Sequence, residues 1–170
     1  TMTGTASLGS LTQTASFDVT VLSSPTVIDT ALYSSLNDPV HTSGIVYAQF
    51  DGGYFIHDGT TPISVYTTED IADQSVTIGD EIEVYGHLNN YNSLYQIVDI
   101  QKELILTQGN APTMTADTSY TIADIKAMDS SVRIVHGQAF EITGVLDIRG
   151  SYNNVWIDDP NASESVEVYY

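Results

Sequence analysis

Apolar and polar residues alternate in short runs along this chain, and the runs come in two sets. In the first, Gly44 leads into Ile45, Val46 and Tyr47, and a turn at Asp51, Gly52 and Gly53 follows. Tyr54, Phe55, Ile56 and His57 then reach Asp58 and Gly59, and Ile63, Ser64, Val65 and Tyr66 come next. About a hundred residues later the order returns, with Gly144, Val145 and Leu146, then Val155, Trp156, Ile157, Asp158 and Asp159, then Val166, Glu167, Val168 and Tyr169. The first set continues through Ile78, Gly79 and Asp80 into Glu81, Ile82, Glu83, Val84, Tyr85 and Gly86; the second stops short of that continuation. Repetition on this scale predicts two related units.

In the first unit, 26–108, Asp29 is placed to cap a short helix carrying Ala31, Leu32 and Leu36 toward a core. Strands are expected over 43–50, 54–57, 63–66, 81–87, 94–100 and 103–107, with a helical turn at 69–73. The glycines at 52 and 53 supply the backbone freedom of a tight hairpin. Leu88 to Asn92 reads as a loop, rich in asparagine. Short strands with helical turns at their margins predict a small, closed, mostly antiparallel barrel of about five strands.

The second unit, 109–170, opens on Thr121 and Asp124, spaced as a variant capping box, with Ile122, Ile125 and Met128 on one helix face. Strands are expected over 138–148, 155–158 and 166–169, with a hairpin at 150–154. Nothing corresponds to strands four and five of the first unit. A barrel cut open in this way has an unpaired edge, which invites pairing with residues 15–21 or with a second molecule. Ahead of both units, 1–25 is rich in Thr, Ser and Gly and carries one alternating strand, 15–21, ending at Ser24 and Pro25.

Charge changes the picture more than composition does. Lys102, Lys126, Arg133 and Arg149 face 22 acidic residues, for a formal net charge of −18. Such a field favours solubility and repels phosphates, so nucleic acid is disfavoured as a ligand. Cysteine is absent, which removes disulfides and thiolate chemistry. No run approaches the ~18 apolar residues of a membrane span, and no signal peptide opens the chain. Beginning at Thr1 and ending within a repeated strand, the chain reads as a piece of a longer protein.

The run of Gly, Gly, Tyr, Phe, Ile, His, Asp and Gly at 52–59 comes before the strand Ile63, Ser64, Val65 and Tyr66. Ile78 to Gly86 and the Tyr91 to Ile97 stretch follow. Together these resemble OB-like domains of secreted bacterial proteins, which often sit beside endonuclease/exonuclease/phosphatase domains or immunoglobulin-like repeats. The resemblance covers 26–108 well and 120–170 in part. Phe17 to Leu22 resembles the last strand of a bacterial immunoglobulin-like domain. What these resemblances imply is an accessory module of an exported, multidomain protein, extracellular or on the cell surface. Gly79 with Asp80 and Asp58 with Gly59 look like that family's turn residues, and the catalytic apparatus of the neighbouring nucleases has no counterpart here.

Eleven tyrosines are the most suggestive chemistry. Tyr47, Tyr54, Tyr66, Tyr85, Tyr91 and Tyr95 are candidate binding rings, because OB barrels stack bases or sugars on their sheet face and loops. The plainer explanation is that tyrosine fits a half-buried pleat. Asp158, Asp159, Asn161 and Glu164 form a weak calcium candidate, without the glycine and the terminal bidentate Glu of an EF-hand loop; a turn explains them as well. His41, His57, His87 and His136 lack metal-ligand spacing. His57 and Asp58 are adjacent in a strand and face opposite ways, which suits no proton relay.

The expectation is an all-β chain with short marginal helices: an immunoglobulin-like tail (1–25), an OB-like barrel (26–108) and a partial second barrel (109–170). The expected role is a non-catalytic spacer or binding module with no cofactor. Its partner is expected to be a carbohydrate or protein, with no membrane insertion and with strand exchange between copies as a route to oligomers. The alternative is a nucleic-acid-binding accessory of an extracellular nuclease.

Overall fold

The computed structural model describes residues 2–8, 10–17, 22–69, 74–129, 131–149 and 154–168. Strands β1 (Met2–Leu8) and β2 (Leu11–Phe17) form an antiparallel hairpin and, among the described strands, pair only with each other. The single strand expected over 15–21 is therefore corrected. Its first residues end β2, two strands stand where one was expected, and 18–21 lie outside the described residues.

Helix α1 (Ile28–Leu32) buries Ile28, Ala31 and Leu32, as the apolar spacing requires. Asp29 does not cap it, being already inside the first turn, and Leu36 is exposed beyond its end. The cap comes from Asp58, whose Oδ2 accepts from the Ile28 N–H at 2.8 Å.

Five strands then close a barrel: β3 (Pro39–Phe50), β4 (Gly53–His57), β5 (Pro62–Tyr66), β6 (Glu81–Tyr91) and β7 (Leu94–Thr107), in the order β3-β4-β5-β7-β6. All neighbours are antiparallel except β5 and β7, which run parallel with Ser64 beside Gln96 and Val65 beside Ile97. Closure depends on β3 serving two partners. Its first half pairs with β6 from Pro39 to Ile45, and its second pairs with β4 from Ile45 to Phe50. Alternation sorts the faces: Ile82, Val84 and Leu88 of β6 point into the core with Val46, Tyr54, Ile56, Ile63, Val65 and Ile97.

Two expected breaks are absent. The stretch from Leu88 to Tyr91 is strand, because Leu88 keeps the inward alternation. Only Asn92 and Ser93 turn, with φ of 49° and 75°, as a two-residue hairpin between right-twisted strands requires. Strands expected at 94–100 and 103–107 are one, bent at Asp99 (φ 49°) and accommodated by shifts of register against β6. The helical turn expected at 69–73 falls at 70–73 outside the described residues.

Downstream, α2 (Ile122–Lys126) has the expected capping box. The Asp124 N–H donates to Thr121 Oγ1 at 3.2 Å, while the Thr121 N–H donates to Asp124 Oδ2 at 2.9 Å. A 3₁₀ turn at Arg133–Gly137 was not anticipated. The strand expected over 138–148 is shorter, β8 (Val145–Arg149), and pairs with β9 (Asn154–Asp158), which pairs with β10 (Ser165–Val168). Residues 138–144 make one bridge, Phe140 to Asp117, because they have no counterpart of the β6 ladder that extends β3 backward. Tyr169 and hairpin residues 150–153 lie outside the described residues.

The registers of the two sheets correspond. Val46, Ile56 and Ile63 stand opposite one another across β3, β4 and β5, as Leu146, Ile157 and Val166 do across β8, β9 and β10. A glycine within β3, Gly44, and one just before β8, Gly144, each lie against the neighbouring backbone. A Cβ on Gly44 would sit 3.0 Å from the His57 carbonyl carbon, and one on Gly144 would sit 2.5 Å from the Asp158 oxygen. The surroundings differ: Val46 is buried, while Leu146 is 67% exposed on the edge strand β8.

Among the described residues no helix is long and apolar enough to cross a membrane.

Candidate binding groove and the covered barrel face

Alternation along β3 and β4 sends Tyr47 and Phe55 outward, where their rings lie 5.9 Å apart, with Phe50 5.3 Å from Phe55. This is the aromatic face on which a ligand was expected. The chain itself covers part of it. The 3₁₀ turn packs on β5 and β7, Gly137 lies against Pro62, and the Tyr47 hydroxyl donates to the Gly137 carbonyl. Burial raises the Tyr47 phenol well above its ordinary pKa of 10.0.

Arg133, at the head of the same turn, completes the closure. Its Nη1 donates to the Leu32 and Ser34 carbonyls at 2.6 and 2.9 Å, which satisfies acceptors left free where α1 ends. The guanidinium also stands 4.3 Å from the Tyr95 ring centre and 5.5 Å from that of Tyr33. At the neighbouring corner, His57 Nδ1 accepts the Gly59 N–H at 3.1 Å and lies 2.7 Å from the Thr113 hydroxyl. Burial lowers the His57 pKa, against a smaller opposing pull from Asp58.

The six candidate tyrosines thus separate. Tyr47 and Tyr95 contact the 3₁₀ turn. Tyr54 is fully buried in the core, its hydroxyl 2.5 Å from Glu103 Oε2, and burial followed by that carboxylate raises its pKa. Tyr85 meets His41 edge-on at 5.9 Å and lines a cleft beside α1. His41 in turn bonds Glu83 through Nε2 (2.9 Å) and the Ser23 carbonyl through Nδ1 (2.6 Å). Tyr91, 65% exposed, stands at the tip of the β6–β7 hairpin. Tyr66 opens onto a separate cavity on the outside of the sheet.

That cavity, of about 450 Å³, lies on the parallel β5–β7 pair and is lined by none of the residues of the 3₁₀ turn. Tyr66, 39% exposed, forms one wall, and its ring is pressed against Gly52, where a Cβ would come within 2.6 Å of Cε2. Asn89 of β6, with Gln96 and Asp99 of β7, lines the rest over Val98 and Ile100. The Thr67 and Thr68 N–H groups both donate to the Gly52 carbonyl, at 2.7 and 3.1 Å, and fix the rim. Among the described residues the amides of Asn89 and Gln96 and the Asp99 carboxylate have no side-chain hydrogen bond, although Gln96 is only 7% exposed. Of these residues, sequence reasoning singled out Tyr66 only. Asn89 looked like loop, and the pairing that sets Gln96 beside Ser64 is non-local.

All four Lys and Arg side chains are engaged within the chain. Lys102 pairs with Glu83, Lys126 with Glu164 at 2.5 Å, Arg133 with the carbonyls above, and Arg149 with Asp158 and, at 2.7 Å, Asp147. The carboxylates of the calcium candidate are drawn into the same pairs or into turn bonds. Asp158 faces Arg149, Glu164 faces Lys126, and Asp159 Oδ1 accepts the Asn161 N–H at 2.8 Å. Among the described residues no group of three His, Cys, Asp or Glu is placed to hold a metal ion.

No protein-family model matches the chain. No curated protein matches it either. Among solved structures it is similar to the hypothetical protein YgiW from E. coli, with 22% identity and a TM-score of 0.40. That likeness covers 49% of this chain and 91% of the other.

Proposed function

We propose that this chain is a non-catalytic module of a secreted or surface bacterial protein, built of tandem OB-like barrels with the second incomplete. It follows the tail of an immunoglobulin-like domain, with units divided at 1–25, 26–108 and 109–170. Its role is to space neighbouring domains and to hold a carbohydrate or protein partner. The matched registers of the two sheets and the paired glycines, Gly44 and Gly144, support the tandem arrangement. One observation carries the spacer role: the 3₁₀ turn at Arg133–Gly137, within the second unit, packs on the first barrel through Tyr47, Tyr95 and the end of α1. A second unit held against the first in this way transmits orientation, which one on a free tether does not.

The alternative, an accessory that grips nucleic acid, has no support from the cations, each of which already has a partner. Filter binding of single-stranded DNA and RNA at low salt tests this, and retention that falls as salt rises would overturn the preferred reading. Hydrolysis of a phosphodiester on addition of a divalent metal would overturn its non-catalytic part. Completion of the β8 edge by a second copy is tested by light scattering after size exclusion. A strict monomer at high concentration removes it.

A further inference from the structure

We infer that the groove between Tyr66 and the outer side of β6 and β7 is a carbohydrate site, taking a neutral sugar ring by one stacking face and three side-chain hydrogen-bonding groups. The inference rests on the binding half of the proposed function and places it at a site distinct from the aromatic face on β3 and β4, which the 3₁₀ turn covers in part.

Four features point to it. First, the groove presents a ring beside a donor–acceptor set without self-pairing. Asn89 and Gln96 each offer a carbonyl and an amide, and Asp99 offers two acceptors, which matches adjacent hydroxyls that both give and accept. Second, Gln96 is held: only 7% exposed, on a strand paired on both sides, it lines the groove and has no side-chain hydrogen bond among the described residues. Third, strain gathers here. Of the five non-glycine residues at positive φ among the described residues, Asn92 and Ser93 make the hairpin turn and Asn37 follows α1, while Thr68 (71°) and Asp99 (49°) both line this groove. A β-branched residue in that region is costly and persists where surroundings enforce it. Fourth, the lining contains no cation, so an anionic ligand has nothing to pair with, and Asp99 would repel it. The volume, about 450 Å³, falls within the range of small-molecule sites.

The test is a printed array of neutral oligosaccharides built from glucose, galactose, mannose and N-acetylglucosamine, read with the whole chain at about 0.15 M and about 0.5 M salt. Retention is expected at both. For any retained sugar, Tyr66→Ala and Asn89→Ala should each weaken binding at least about tenfold. Asp99→Asn keeps the backbone conformation and should weaken it less. Tyr91→Ala, at the hairpin tip, should change nothing. Asn89→Ala removes no internal bond, so an unchanged melting temperature for it excludes unfolding as the cause of lost binding. A sugar that is retained but indifferent to all three groove variants would overturn the groove and leave a carbohydrate-binding module. An array with no retained sugar would overturn the groove and leave the spacer role standing.

Discussion

Asp58 caps a helix that begins thirty positions before it: its Oδ2 accepts the Ile28 N–H at 2.8 Å. Its other oxygen holds the turn into β5, accepting from the Thr60 and Thr61 N–H groups at 3.0 and 2.9 Å and from the Thr60 hydroxyl at 2.7 Å. One carboxylate therefore fixes both the lid of the barrel and the β4–β5 connection. Asp58→Ala should destabilise the chain by about 2–3 kcal/mol, combining a lost cap with lost charge-assisted bonds. Asp58→Asn should recover part of that. Urea denaturation of the three proteins measures it, and a change below about 0.5 kcal/mol for the alanine variant would contradict the assignment.

Acid should weaken the fold in steps. The folded pKa of His57 lies below its ordinary 6.5, so the unfolded chain takes up that proton first. Its contribution is whole above about 6.5 and is lost as pH falls through the lowered value. Glu83 and Asp58 are also held below their ordinary 4.5 and 3.8, Glu83 chiefly by Lys102 and then His41. For Asp58, desolvation pushes upward, yet the bonds from Thr61, Thr60 and Ile28 together outweigh it. Their contributions stand above those ordinary values and vanish at lower pH. Melting temperature measured from about pH 7 to about pH 3 should fall throughout, and His57→Gln should flatten the upper step alone. An unaltered upper step in that variant would refute the role of His57.

Arg133 contacts carbonyls and rings together, a combination lysine does not reproduce. Arg133→Lys and Arg133→Ala should both loosen the 3₁₀ turn, at a cost of about 1.5–3 kcal/mol for the alanine. Amide hydrogen exchange should quicken across the 3₁₀ turn and the end of α1 while the β6–β7 ladder stays protected. Equal acceleration everywhere would mean the turn is not a separate anchor.

Gly44 and Gly144 offer a paired test of the repeat. A methyl group at either position meets the adjacent strand, and at Gly144 it would also come within 2.3 Å of Ile157 Cγ2. Each Gly→Ala change should cost about 1–3 kcal/mol through overpacking. The Gly144 variant should disturb the β8–β10 sheet and spare the barrel, as read from two-dimensional amide spectra.

Sequence pattern reached furthest where interactions are local. Alternation marked the strands at 63–66 and 81–87, whose Ile63, Val65, Ile82 and Val84 enter the core, and the Thr121–Asp124 box marked α2 correctly. It faltered where partners are distant. Asp29 was the nearer cap but Asp58 does the capping, and the asparagines after Leu88 suggested a loop although the β6–β7 ladder keeps Asn89 and Asn90 extended. The 3₁₀ turn at Arg133–Gly137 exists because the barrel offers it Tyr47 and Pro62, which no local window contains. For the same reason Tyr66 could be marked as a ring, while Asn89, Gln96 and Asp99 could not be grouped around it before the pairing of β5 with β7 was known.

The engagement of every lysine and arginine also bears on resistance to digestion. A trypsin-like protease can cut this chain after only four residues, and needs the surrounding backbone extended in its cleft. Lys102 sits within a barrel strand, Lys126 ends a capped helix, Arg133 is held against rings and carbonyls, and Arg149 is clamped by two aspartates. At Lys102, Lys126 and Arg133 digestion must therefore wait for local opening.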